Sequence, residues 1–253
     1  MQQQDAVLVR SRLIELSREF GQARWAILGE GNTSGRIDEK VFAVKSSGSS
    51  LGTLTEIELT DCFFDTLLPI LDRKGVSEQE IEEVLFESRV RSTALKPSVE
   101  TFFHAYLLTI PGVNYVGHTH PVPVNQILCS GLGTSFAAER RFPDEVVCCG
   151  PVSLLIPYED PGLALAIRIR LELQKFERTH GKIPKVILLG SHGVITIGQT
   201  ADAVRVAMAM TVKAAEIFVG AQSLGGNISM PEFEVNRIEN RLDEEYRRKM
   251  LRV

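Results

Sequence analysis

The stretch VNYVGHTHP, residues 113–121, decides how the rest of the chain is interpreted. Its first half is rich in β-branched and aromatic residues, which is typical of a strand, and His118 and His120 lie at its end. Side chains two residues apart on a strand point to the same face of the sheet. Two imidazoles on one face can share a metal ion, so the stretch predicts metal ligands, with two unrelated loop histidines as the alternative.

A third histidine lies in a similar setting. The stretch KVILLGSHGVITIG, residues 185–198, places His192 in a tight turn between two predicted strands, where Gly190 and Gly193 permit close backbone approach. Three neutral imidazoles with an open coordination position are typical of catalytic zinc, although other divalent cations accept the same ligands. The remaining histidines, His104 and His180, lie on predicted helices and are interpreted as ordinary residues.

A metal site that moves protons needs a base beside it, and KPSVETFFH, residues 96–104, supplies a candidate. Pro97 suits the first turn of a helix, which would place Glu100 in that same turn. The small-residue loops GEGNTSG (29–35) and KSSGSS (45–50) could hold an anion through backbone N–H groups, with Lys45 supplying positive charge.

The remaining pattern alternates helices and strands. Helices are predicted over residues 9–20, 61–75, 102–108 and 200–220, and from Ser77, where Glu80 completes a capping box. Strands are predicted at KVFAVKSSG, VNYVGHTH, VSLLIP, KVILLG and VITIG. Residues 162–178 fit either type, and their length favours a helix. Residues 225–232 resemble a linker before a charged helical tail at about 231–253, and residues 1–253 are predicted to form a single domain.

Composition excludes several classes of partner. The 253 residues carry 28 Lys+Arg and 32 Asp+Glu, a net charge of −4, without a basic run, so nucleic acid is not expected as a partner. No stretch approaches the roughly 18 apolar residues of a membrane span. The N-terminus is charged and amphipathic rather than a secretory signal, and the four cysteines show no metal-ligand spacing, so a cytoplasmic protein is expected.

Taken in order, six stretches resemble the class II aldolase/adducin family over roughly residues 8–220: GEGNTSGRI, VKSSGSSL, KPSVETFFHAYLL, PGVNYVGHTHPVPVNQI, VSLLIPYEDPG and HGVITIGQTADAV. This family contains sugar-phosphate aldolases, a 4-epimerase and a dehydratase. The resemblance implies an α/β fold with three α/β/α layers around a central, largely antiparallel sheet. It also implies a homotetramer with active sites at subunit interfaces.

The resemblance assigns roles to individual residues. It implies that His118, His120 and His192 bind one divalent metal ion per subunit, most simply Zn²⁺, with Mn²⁺, Co²⁺ or Fe²⁺ as alternatives. Glu100 matches the acid/base of the aldolases. The positions that match phosphate-holding residues are Asn32, Lys45, Ser47, Gly48 and Ser98.

Three further positions bear on substrate and mechanism. A tyrosine protonates the leaving aldehyde in relatives; Tyr158 lies in a matching stretch, and Tyr246 is the alternative by position. Val99 stands where relatives often have a second serine. Glu30 occupies a position beside the phosphate pocket that is usually small or neutral, and its carboxylate would repel a phosphate unless turned away.

The expected function is a metal-dependent lyase, most simply an aldolase that cleaves a ketose phosphate through an enediolate whose charge the cation neutralises. Relatives that epimerise carry aspartate where this chain has Glu100, which favours aldol chemistry. Dehydration, decarboxylation of an oxo-acid phosphate and 4-epimerisation are the alternatives within the family. A non-catalytic scaffold like adducin is the alternative of another class.

Overall fold

The structure, a computed structural model, describes residues 5–251. Its helices are α1 (Ala6–Phe20), α2 (Phe64–Leu67), α3 (Glu78–Glu87), α4 (Thr101–Leu108), α5 (Val122–Leu128), α6 (Gly133–Ala138), α7 (Pro143–Cys149), α8 (Leu163–His180), α9 (Ala201–Ser223), α10 (Glu232–Glu239) and α11 (Leu242–Leu251). Its strands are β1 (Asn32–Arg36), β2 (Val41–Lys45), β3 (Leu59–Phe63), β4 (Tyr115–Thr119), β5 (Leu154–Ile156), β6 (Val186–Leu189) and β7 (Gly193–Gly198).

Within residues 5–251, seven strands form a sheet in the order β3-β2-β1-β4-β7-β6-β5, with helices on both sides. The sheet is largely antiparallel, while β5 and β6 run parallel. The predicted three-layer α/β/α fold with a largely antiparallel sheet is thereby confirmed. The chain divides into two units, residues 1–119 with 159–171 and residues 120–158 with 172–253, and the expectation of a single domain stays a prediction.

In the first unit, β1 contacts a different helix on each of its faces. The Thr33 hydroxyl bonds to Ser17 of α1 at 2.6 Å, whereas the Ser34 hydroxyl bonds to His104 of α4 at 2.6 Å. Consecutive strand residues point to opposite faces, so α1 and α4 lie on opposite sides of β1. This strand is buried although its sequence, NTSGR, is polar, because each buried hydroxyl has a partner.

Three sequence predictions in the first unit were wrong. The stretch GEGNTSG was expected to be a loop, but Asn32 to Gly35 lie in β1. The helix expected over residues 61–75 begins only at Phe64, since the preceding residues form β3, and it continues as a short 3-10 segment. Pro97 lies before the helix rather than in its first turn, because it forms a bridge with Ser46 next to β2.

The second unit packs its strands against a long helix. β6 and β7 are antiparallel, and both are buried along nearly their whole length. α9 begins at its N-cap Thr200, as predicted, and packs on β7, α5 and α7. In the described residues no helix, α9 included, combines the length and the apolar character needed to cross a membrane.

The ambiguous segment and the C-terminal region take up helical structure. Residues 163–180 form the single helix α8, as their length favoured. Residues 225–231 have no regular structure, and α10 and α11 follow them. The predictions about the N-terminus and the tail also cover residues 1–4 and 252–253, which lie outside the described residues.

Gly31 is the glycine that fixes the start of β1. It has φ +67°, and a Cβ there would lie 2.6 Å from the carbonyl oxygen of His118. Gly75 has the same φ of +67°, but a Cβ there would meet nothing within 4 Å. An alanine at either position would therefore adopt the same unfavourable φ, but only the alanine at position 31 would also clash with neighbouring backbone.

We predict that Gly31→Ala destabilises the fold more than Gly75→Ala. The control variant should lose about 1–2 kcal/mol of unfolding free energy, the cost of a left-handed conformation in a residue with a Cβ. Gly31→Ala adds a backbone clash that only displacement of β1 or β4 can relieve. Urea denaturation of both variants measures the difference, and equal losses would contradict the assigned role of Gly31.

Candidate functional site

The three histidines singled out in the sequence lie together. His118 is fully buried in β4, His120 follows the end of that strand, and His192 lies in the turn between β6 and β7. Each offers a ring nitrogen, and these nitrogens lie within 4.8 Å of one another.

Local geometry positions His192. Ser191, just before it, has φ +50°, and a Cβ on Gly190 would lie 3.0 Å from the backbone nitrogen of Tyr158. The Asn125 side chain donates to the backbone oxygen of His192 at 3.0 Å. The rings of His120 and His192 meet edge to face, with centroids 4.9 Å apart. The turn is thus fixed by its backbone conformation, the close approach at Gly190 and the hydrogen bond from Asn125.

The donor set fits a divalent cation. Bond lengths of about 2.0–2.1 Å to imidazole nitrogen place the ligands of a tetrahedral zinc site roughly 3.3 Å apart. The ring nitrogens of His118, His120 and His192 lie within 4.8 Å of one another, a separation at which they could hold one ion. Three imidazoles leave a coordination position for substrate or water, as in catalytic sites.

Glu100 lies next to this cluster. It is the N-cap of α4 rather than a residue of its first turn, because the helix begins at Thr101. Its carboxylate is largely buried, and Oε2 lies 3.6 Å from Nε2 of His118. The same oxygen accepts a hydrogen bond of 2.6 Å from the Asn32 side chain.

Sequence reasoning missed His104, which is fully buried behind Glu100. Its Nε2 bonds to Oδ1 of Asn32, and its Nδ1 bonds to the Ser34 hydroxyl. Burial lowers the pKa of His104 to about 3, although the nearby Glu100 carboxylate raises it. The signal available in the sequence was its spacing, four residues after Glu100, which places both side chains on one face of α4.

Three segments of the first unit, which carry the residues predicted to bind a phosphate, contact one another. Ser46 bridges Pro97, the Ser47 N–H donates to the Lys96 carbonyl at 2.8 Å, and a Cβ on Gly29 would lie 3.7 Å from Cα of Gly48. Ser47 and Gly48 form an exposed tip, and Gly48 has φ +77°. The Ser98 hydroxyl accepts from the Glu100 backbone N–H at 3.3 Å.

Lys45 holds two of these segments together. Its Nζ donates to the carbonyl oxygens of Ser49 at 2.6 Å, Gly29 at 3.3 Å and Ser46 at 3.4 Å. Burial lowers the pKa of Lys45 to about 8, while the charges of Glu100 and Glu58 act in the opposite direction. A direct contact between Lys45 and a phosphate stays a prediction.

The two residues that depart from the family pattern, Glu30 and Val99, each contact residues close to them in the structure. The Glu30 carboxylate accepts from the backbone N–H of Ile27 at 3.0 Å, within its own turn. Val99 packs against Gly162, where a Cβ would lie 2.7 Å from a Val99 methyl. Tyr158 and Tyr246, the two candidate acids, are 60% and 67% exposed, and their role stays a prediction.

Comparison with known proteins identifies relatives over most of the chain. Residues 11–219 match the family described as Class II Aldolase and Adducin N-terminal domain. The N-terminal class II aldolase domain of a conserved protein from Thermoplasma acidophilum has a similar structure, with a TM-score of 0.67 and 25% identity, over 87% of this chain and 97% of that one.

Two curated relatives carry names that point to different reactions. The uncharacterized oxidoreductase YuxG of Bacillus subtilis is 28% identical over 78% of this chain, which spans only 27% of that longer protein. The 3-oxo-tetronate 4-phosphate decarboxylase of Haemophilus influenzae is 29% identical over 74% of this chain and 75% of its own length.

The burial of neutral His104 predicts a pH-dependent stability. An unfolded histidine gains a proton near pH 6.5, whereas His104 stays neutral down to about pH 3. The unfolded state therefore binds more protons between these values, and the stability contributed by His104 is lost as pH falls. Between pH 7 and pH 5 the loss should be about 2 kcal/mol.

We predict that His104→Gln, which cannot titrate, loses about 2 kcal/mol less stability than the wild type between pH 7 and pH 5. Urea denaturation at both pH values measures the change, and the contributions of the carboxylates cancel in the comparison. His180→Gln, at an exposed histidine on α8, is the matched histidine substitution outside this network. An unchanged acid sensitivity in His104→Gln would show that folding does not lower the pKa of His104.

Proposed function

This chain belongs to the class II aldolase and adducin family, and we propose that it is a divalent-metal-dependent carbon–carbon lyase. Its proposed substrate is a ketose phosphate or a related phosphorylated sugar acid. The observation that carries the proposal is the cluster of His118, His120 and His192 with the Glu100 carboxylate 3.6 Å from His118.

The three histidines would hold the metal. When bound, the cation supplies Lewis-acid chemistry, since it offsets negative charge that develops on substrate oxygens. Zinc suits three imidazoles, and manganese, cobalt and iron accept the same ligands.

Glu100 is proposed as the acid/base. Its position next to His118 suits proton transfer at the substrate carbon adjacent to the carbonyl. Its low exposure limits competition from water for that proton. Tyr158 is the proposed acid for the leaving aldehyde, with Tyr246 as the alternative.

A phosphate would bind the exposed tip formed by Ser47 and Gly48, together with Ser98. The Ser47 N–H is bonded to the Lys96 carbonyl, so the proposed phosphate donors here are the Gly48 N–H, at a glycine with φ +77°, and the hydroxyls of Ser47 and Ser98. Asn32 retains a second N–H beyond the one it donates to Glu100, and Lys45 supplies positive charge behind the loop. The internal hydrogen bond of Glu30 reduces its expected repulsion of a phosphate.

Aldol cleavage and decarboxylation are the two leading reactions. Both break a carbon–carbon bond next to a carbonyl-bearing carbon and leave an enediolate that must be protonated at carbon. Both therefore need charge neutralisation and a proton donor, the role that the acid form of Glu100 would fill. Glu100 favours carbon–carbon lyase chemistry over epimerisation, because the epimerase of the family carries aspartate there, and aldol cleavage is the first proposal. Decarboxylation of an oxo-acid phosphate is the second, supported by the relative from Haemophilus influenzae. Dehydration and 4-epimerisation are further family alternatives.

The adducin-like scaffold is less well supported. A scaffold places no demand on metal ligands, so scattered or substituted histidines would be expected, yet the three nitrogens lie within 4.8 Å of one another.

We further propose a cytoplasmic homotetramer with active sites at subunit interfaces.

We predict that the metal-loaded wild type releases an aldehyde from a ketose 1-phosphate, or CO₂ from an oxo-acid phosphate, and that Glu100→Gln does not. The amide is nearly isosteric but is neither an effective base nor a negative charge, so turnover should fall by about 10²–10⁴-fold. Coupled assays for the aldehyde and for CO₂ on a panel of both substrate classes measure this.

Elemental analysis of Glu100→Gln provides the control, because the variant should retain the metal. Glu83→Gln, on α3, is the matched substitution outside the site and should keep full turnover. Wild-type turnover retained in Glu100→Gln would rule out the proposed role of Glu100. Release of neither product by the wild type would leave dehydration or epimerisation.

A further inference from the structure

The buried side chains behind Glu100 form one connected chain. It runs from the Ser34 hydroxyl through the His104 ring and the Asn32 amide to the Glu100 carboxylate. Ser34, His104 and Asn32 are each at most 2% exposed. Because these residues are shielded from solvent, Ser34 and His104 can influence Glu100 through the Asn32 amide.

The two elements that carry these residues have matching spacing. Asn32 and Ser34 are two residues apart on β1 and point to one face, and Glu100 and His104 lie four residues apart on one face of α4. Asn32 consequently lies between Glu100 and His104, and Ser34 reaches the far side of the ring. These hydrogen bonds therefore depend on how β1 and α4 are aligned along their lengths.

The direction of each hydrogen bond follows from the carboxylate. An ionised carboxylate only accepts, so the Asn32 NH₂ group must face Glu100 and its oxygen must face His104. That oxygen needs a donor, so the His104 proton lies on Nε2. Nδ1 of the neutral ring then accepts from the Ser34 hydroxyl at 2.6 Å.

Two contacts of Glu100 Oε2 bear on its position. Asn32 donates to it at 2.6 Å, and Nε2 of His118 lies 3.6 Å away. The Asn32 amide therefore restrains the same carboxylate oxygen that faces the metal-ligand candidate His118.

We propose that His104 is a positioning residue, which orients the Asn32 amide and thereby holds the Glu100 carboxylate for proton transfer. This inference rests on the proposed role of Glu100 as acid/base. Without the Nε2 proton, the amide can rotate and present its oxygen to the carboxylate, which would repel it.

Kinetics of matched variants test the proposal. His104→Phe keeps an aromatic ring and removes both nitrogens; kcat should fall about 10–100-fold, as for other residues that orient a catalytic group. KM should rise by a smaller factor than kcat falls, because His104 does not contact the substrate and only the proposed phosphate contact of Asn32 depends on it. His104→Gln, which can donate to Asn32, should recover most of kcat, and His180→Phe should keep the wild-type value. Unchanged kcat in His104→Phe, or no recovery in His104→Gln, would overturn the proposal.

A double variant distinguishes positioning from a general packing role. If His104 acts through Asn32, His104→Phe should cost little further kcat in an Asn32→Leu background. Multiplicative losses, with each change having its full effect, would mean that His104 acts by another route.

A measurement without turnover separates this inference from the proposed function. In ¹⁵N-histidine-labelled protein at pH 7, long-range ¹H–¹⁵N spectra should show His104 neutral with its proton on Nε2. The Asn32→Leu substitution should change the resonance frequency of that proton. A proton on Nδ1, or a charged ring, would overturn the inference even in an active enzyme. The expected tautomer in a protein inactive on every substrate class would refute the lyase and leave the hydrogen-bond chain intact.

Discussion

The antiparallel pairing of β1 with β4, in which Asn32 lies opposite His118, is the constraint on which the site depends. It brings the amide that holds Glu100 alongside a metal-ligand candidate, and it requires Gly31, whose missing side chain leaves room for the His118 carbonyl. A register shift of one residue would turn Asn32 to the opposite face of the sheet and separate it from α4.

A strand made of asparagine, threonine, serine, glycine and arginine is stable here because its buried polar groups are paired. Thr33 bonds to α1, while Asn32 and Ser34 bond to α4, so the desolvation of each side chain is offset by a hydrogen bond. The same bonds fix the side-chain orientations on which the proposed proton-transfer role of Glu100 depends. One set of contacts therefore both stabilises β1 and orients the Glu100 carboxylate.

The metal-ligand candidates were predictable because their signals are local. His118 and His120 are two residues apart after an apolar strand, and His192 lies between glycines that mark a turn. The general fold followed from the order of the motifs. These features depend on neighbours within a few residues, which a sequence pattern displays.

The errors came from contacts between distant residues. β1 lacks the alternation of apolar and polar residues that predicts a strand, because its partners are Ser17 and His104, 16 and 70 residues away. His104 was interpreted as an ordinary helical residue for the same reason. Pro97 was expected inside a helix, but pairing with Ser46 holds it in an extended segment.

Elemental analysis of the purified protein tests the central claim most directly. The account predicts about one divalent ion per chain, bound by three imidazoles, and its loss in His120→Ala but not in His180→Ala. A wild type that stays metal-free after incubation with zinc, manganese, cobalt or iron would contradict the account. The histidine cluster would then be a polar turn, and the scaffold alternative would be favoured.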